Sequence, residues 1–217
     1  MKFYINNLAE LFSLVVAIIY YPYLKNSVMK WFLPFLVFIT VSEIYGHYIG
    51  YALHKSNTSI YGFIAIIEAV FYSYFFYTIT TEGASKKIIF IISFFNISIS
   101  VVLFFLTIDN PSYLFANLIF LSICFSFISL TYIYSKFVSE EAVYLLSEPG
   151  FWVAFGVAIF FSGVSVVFSL HDFSLKHNLT FLGVKLYNIV PQILSVILYL
   201  SISTAIILCK KKNRISL

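Results

Sequence analysis

Seven long apolar runs, separated by short polar punctuation, make up almost the whole chain. They fall at about residues 8–23, 30–53, 59–79, 87–107, 112–135, 150–170 and 184–209, each close to the roughly 20 residues a helix needs to cross a bilayer. The runs are continuous and lack the strict in–out alternation of a barrel strand, so strands are not expected. The pattern predicts an all-α fold: a polytopic transmembrane bundle of seven helices forming a single transmembrane domain over residues 1–217. The first run carries Glu10 and has no small-x-small cleavage site before Tyr20-Tyr21-Pro22, so it is read as a retained span.

The punctuation supports these limits. Asn110 and Pro111 fit the cap and first turn of span five. Ser147 or Glu148 can cap span six, which Pro149 opens. Residues 139–148 start with a cap-like Ser139 and two glutamates, and read equally as an interfacial turn or a solvated loop. The connection 170–183 carries His171, Asp172 and His177. Pro191 interrupts the last run, but Pro34 is a poor counterpart, so no inverted repeat is expected.

Composition sharpens the class. The chain is 61% hydrophobic and 10% charged, against about 25% charged residues in a soluble domain. So much apolar surface excludes a water-soluble fold, and the lipid bilayer is the expected partner. The connections leave no room for an extramembrane domain, so any activity lies in the bundle, at its loops or in a protein partner or second copy. Lys25, Lys30, Lys86, Lys87, Lys136, Lys210, Lys211, Lys212 and Arg214 fall on one side, and Lys2, Lys55, Lys176 and Lys185 on the other. By the positive-inside rule the N-terminus lies outside and the C-terminus in the cytoplasm. The net charge of +4 therefore reflects topology and gives no reason to expect nucleic acid. Cys124 and Cys209 lie at different depths and are not expected to pair.

Candidate chemistry rests on ionisable residues inside the runs, which are costly in lipid and point to function by default. Three lie deep: Glu43, His47 and Glu68, whereas Glu10 is close to a span end. At 100° per residue, Thr40, Glu43, His47, Gly50 and His54 share one face of span two. Beside them Ser42, Gly46 and Gly50 form a small-residue ridge suited to close approach of another helix. Span three presents Tyr61, Ala65, Glu68 and Tyr72, and its short link to span two puts Glu43 and Glu68 at one level. Span seven aligns Asn188, Gln192, Ser195 and Tyr199, with Gln192 expected at the carboxylates' depth beside the Pro191 break.

Two neighbouring carboxylates in low dielectric do not both ionise cheaply: one holds a proton, or His47 carries the balancing charge. Glu43, His47, Glu68, Tyr61, Tyr72, Asn188 and Gln192 are therefore the expected site for a proton, an ion or a small polar ligand, for transport or sensing. A purely structural polar cluster and an intramembrane enzyme acting on a lipid-like substrate remain open. Glu43, His47 and Glu68 are enough ligands for a catalytic zinc, but Glu-x3-His is not the Glu-x2-His of di-iron bundles. No metal is assigned, and no cofactor is named by these residues.

Several seven-helix families do not fit. A retinal protein needs a lysine in mid-span seven, where this chain has only Lys185 and Lys210 at the ends. Alkaline-ceramidase-like hydrolases need a histidine pair in the last span, and a lone Pro191-Gln192 is misplaced for a PQ-loop transporter. The order VSEIYGHY in span two, Asn57, Tyr61 and Glu68 entering span three, Pro149, Phe151, Trp152, Gly156, Phe160, Phe161, Ser162 and Gly163 in span six, and Asn188 in span seven resembles a family of uncharacterised bacterial seven-helix membrane proteins. The resemblance implies the bacterial inner membrane and brings no activity with it.

Overall fold

The computed structural model describes residues 5–81, 83–138, 145–181 and 183–215. It contains eight α-helices: α1 (Ile5–Leu24), α2 (Phe32–His47), α3 (Thr58–Ile79), α4 (Ala84–Asp109), α5 (Ser112–Val138), α6 (Pro149–Ser169), the short α7 (His171–Lys176) and α8 (Leu186–Ile215). Seven of the helical segments are long and apolar enough to cross a membrane. The face where α1 begins is called here the N-face, and the opposite one the C-face.

The predicted spans and the helices agree to within a few residues, and the differences have local causes. A 3-10 turn, Val28–Trp31, leads into α2, and a π-helical turn, Tyr48–Ala52, extends it beyond His47. His54 follows with φ +51°, exposed in the connection and off the α2 stripe. Asn110 accepts the Ser112 amide at 3.0 Å through Oδ1, the capping contact its position suggests. Pro191 lies inside α8, which continues through it; the carbonyl of Pro191 accepts Ser195 Oγ at 2.8 Å. The connection after α6 departs most from expectation. It folds into α7 and a two-residue antiparallel ladder, β1 (Thr180–Phe181) with β2 (Val184–Lys185). Asn178 at φ +48° and Gly183 at φ +77° supply the left-handed positions that let so short a segment reverse. The cap-like Ser139 and the acidic residues after it lie outside the described residues.

The helices pack α1–α8–α6–α5–α4–α3, with α2 between α1 and α3. Large apolar side chains cover the perimeter; α4 alone exposes Phe90, Ile91, Phe94, Phe95, Val102 and Phe105. In water such a surface would aggregate, and hydrocarbon is its natural solvent. Inside, rings from four helices interlock. Phe35 stacks on Phe71 at 3.8 Å, Phe32 meets Phe71 and Phe75 edge-on at 5.0 and 5.1 Å, and Tyr72 meets Phe125 and Phe161 at 5.3 and 5.9 Å.

Small residues set the tightest contacts. A Cβ on Gly156 would stand 2.7 Å from Ser201 Cβ, so α6 and α8 are close at that point. The ridge on α2 works differently from the expected helix–helix contact. Gly46 faces the Tyr61 hydroxyl and Gly50 faces the Asn57 amide, so it receives side chains instead of a second backbone. With bulky rings between them, α2 and α3 leave a lipid-side crevice of about 550 Å³ lined by residues including Trp31, Phe38, Ile67 and Tyr74.

A second polar cluster secures the C-face. Lys136, in the last turn of α5, is 5% exposed and pairs with Glu148 at 3.1 Å. Tyr132 donates its hydroxyl to the same Glu148 oxygen at 3.0 Å. Glu148 is the N-cap residue of α6, but its carboxylate serves this cluster and makes no cap bond to its own helix.

Candidate functional site

Glu43 sits on α2 about 14 Å from the N-face end of the π-helical turn, and Glu68 on α3 about 15 Å from its N-face start, at a 1.5 Å rise. The two carboxylates interact electrostatically, as expected for groups at one level on adjacent helices. Tyr61 spans the gap, donating its hydroxyl to Glu43 Oε2 at 3.2 Å. His47, one turn above Glu43, brings Nε2 to 3.7 Å of that same oxygen. That separation suits a charge interaction and exceeds hydrogen-bond length. The imidazole also stacks on Tyr51 at 5.7 Å, a partner supplied by the π-helical turn.

Local sequence explains this convergence. Gly46 has no side chain where the Tyr61 hydroxyl arrives, since a Cβ there would be 3.4 Å from it. Asn57 folds back from the N-terminus of α3 and donates Nδ2 to the Gly46 carbonyl at 3.3 Å. That bond holds the α2–α3 turn closed over Tyr61. Below Glu68, Tyr72 is 1% exposed and lies within electrostatic reach of that carboxylate. Glu43, His47, Tyr61, Glu68 and Tyr72 are thus neighbours on two helices.

Asn188 and Gln192 are placed differently. Asn188 is exposed in the first turn of α8, Gln192 is half-buried, and neither takes part in the described hydrogen bonds. The α8 group within electrostatic reach of the carboxylates is Tyr199, further along the same stripe. It interacts with Glu10, Glu43 and Glu68 and with Tyr72.

Glu10 is the residue that sequence reasoning set aside. It is 3% exposed, on an α1 face that also buries Asn7, Ser13 and Ala17. It interacts with Glu43 and faces Thr40, one turn before Glu43 on α2. Thr40 is 6% exposed, and its hydroxyl is the polar group set beside the buried Glu10 carboxylate. The spacing Asn7, Glu10, Ser13, Ala17 is a small and polar helical stripe and was the available signal. Among the described residues, no three His, Cys, Asp or Glu side chains approach closely enough to hold a metal ion.

Comparison with family models, curated proteins and solved structures finds no match to this chain. The reading of the site therefore rests on its own geometry.

Proposed function

We propose that the chain is a multi-pass protein of the bacterial inner membrane, N-terminus outside and C-terminus cytoplasmic. Its intramembrane site binds a proton or a small cationic or polar ligand for transport or sensing. The observation that carries the reading is the Glu43 carboxylate, held by Tyr61 at 3.2 Å and faced by His47 at 3.7 Å, with Glu68 in electrostatic contact across the α2–α3 seam. Carboxylates at this depth are costly, and the helices that bear them contain no lysine or arginine. Taking up positive charge relieves that cost, which is the physical basis for binding.

Glu43 and Glu68 share the charge in this reading, His47 balances or relays it, and Tyr61 and Tyr72 shape the site. The test is infrared difference spectroscopy of the protein in lipid across a pH step. Glu43→Gln and Glu68→Gln should each remove part of the carboxyl stretch change and lower solute or proton uptake into vesicles. If both variants fold and retain every such signal, the cluster is structural.

A further inference from the structure

At the C-face, where α3 ends and α4 begins, lies a cavity apart from the carboxylate cluster. It has a volume of about 370 Å³ and is lined by Tyr77, Gly83, Lys86, Lys87, Phe90 and Ile91. We propose that it docks an anionic phospholipid, with the phosphate at Lys86 and Lys87 and the glycerol and acyl chains along Phe90 and Ile91.

Three observations carry this. First, the lining changes character with depth in the order a lipid requires. At a 1.5 Å rise, Lys86 and Lys87 stand about 3–5 Å from the start of α4 at Ala84, and Phe90 and Ile91 about 9–11 Å from it. The basic rim is thus at headgroup level and the apolar floor at acyl level. Phe90 and Ile91 are 57% and 53% exposed, so the floor opens to hydrocarbon. Second, the rim is held in place. Lys86 Nζ lies 4.8 Å from the centre of the Tyr77 ring, a cation–π contact that ties the first turn of α4 to the last turn of α3. Third, the lysines stand at the wrong helix end for their own charge. The N-terminus of a helix favours anions and disfavours cations. The first turn of α4 has no acidic residue, and Gly83, at φ +140°, opens it without a side-chain cap. A phosphate at this point offsets both the lysines and the open amides. Glu82, next in the sequence, balances at most one of the two lysines.

The positive-inside rule accounts for lysines at this face. It does not account for a cavity that sets them above an apolar floor, the arrangement by which basic pockets between membrane helices select anionic headgroups. The floor also separates a lipid from free phosphate, which would leave Phe90 and Ile91 uncovered. No residue is shared with the carboxylate cluster, so the two readings stand or fall separately.

The experiment is native mass spectrometry of the full chain released from micelles, with phosphatidylglycerol and phosphatidylcholine of identical acyl chains added at equal concentration. Phosphatidylglycerol should be retained preferentially. Lys86→Gln with Lys87→Gln should reduce that retention about tenfold or more, as expected for two lysines at a membrane surface. Lys25→Gln with Lys30→Gln removes the same charge from the same face and should leave most of the retention. On the unaltered protein, phosphatidylglycerol with a diazirine in its headgroup should label residues 77–91, read by peptide mass spectrometry; this arm stands even if a variant fails to fold. Equal retention of the two lipids, equal loss in the two double variants, or labelling confined to other segments would overturn the proposal. Displacement of the lipid by inorganic phosphate would overturn it too, by making the cavity a site for soluble anions.

Discussion

Replacing Gly156 by alanine tests the packing that frames the site, because α6 and α8 meet there almost backbone to backbone. The added methyl would stand 2.7 Å from Ser201 Cβ, 3.2 Å from its Oγ and 3.4 Å from the Leu198 Cα. Carbon atoms prefer about 3.5–4.0 Å, so the helices must part by about 1 Å locally. Ser201 Cβ is fixed to its backbone and cannot rotate away. Overpacking of this kind costs about 1–3 kcal/mol, and better helix propensity returns up to about 1 kcal/mol. A net loss of up to about 2 kcal/mol follows, or a fall of up to about 8 °C in melting temperature for a chain of this size. The assay is denaturation in mixed micelles followed by circular dichroism. Removing the opposing methylene is the decisive arm. Ser201→Gly alone should cost about 0.5 kcal/mol from propensity. Combined with Gly156→Ala it should cost less than the two changes summed, by about 1–2 kcal/mol of coupling. Strict additivity, or a clearly stabilising Gly156→Ala, would refute the close α6–α8 contact.

Two further changes probe the polar interior. A Cβ on Gly150 would lie 2.5 Å from the Tyr132 hydroxyl, so Gly150→Ala should lower the melting temperature. Adding Tyr132→Phe should restore part of the loss, although that change also removes the bond to Glu148; no recovery would disprove the steric account. Asn96 is 0% exposed, and both atoms of its amide lack partners. Asn96→Leu, alike in branched shape though bulkier, should be neutral or raise stability by about 1–2 kcal/mol in the same assay where the site takes up the added volume. A clear loss would mean that the amide is satisfied by something else.

The spans were legible because lipid leaves the chain little choice: each crossing must satisfy its own backbone, and that demands long apolar helices. The nearness of α2 to α3 was legible for a related reason, since the turn joining them is short; the Tyr61 bond to Glu43 was not, because it depends on the reach of the tyrosine side chain. The use of the α2 glycines was not. A small-residue ridge looks the same in sequence whether a helix or a tyrosine fills it, and only the neighbour decides. Glu10 was hidden by its nearness to a helix end, which suggested the interface; what buries it is the packing of α1 against α8 and α2, a long-range fact. On α8 the expected face includes Tyr199 as well as Gln192. Periodicity identifies Asn188, Gln192 and Tyr199 as one face, but it cannot say which turn of that face meets the carboxylates.

These particulars give α2 a distinct position. Elsewhere backbones approach closely, as at Gly156 with Ser201, or interhelical hydroxyls bond, as Ser162 does to Ser126 at 3.0 Å. Along α2 the contacts to α3 are rings and side chains: Phe35 on Phe71, Tyr61 on Glu43, Asn57 on the Gly46 carbonyl. Its end is a π-helical turn, a feature often found at functional sites. The same helix carries Glu43, faces Glu10 through Thr40, and faces Glu68 across the crevice seam. A rotation or slide of α2 would therefore move Glu43 relative to both other carboxylates while leaving the α1–α8–α6–α5 packing intact. If the site responds to a ligand, α2 is the element through which the response would pass.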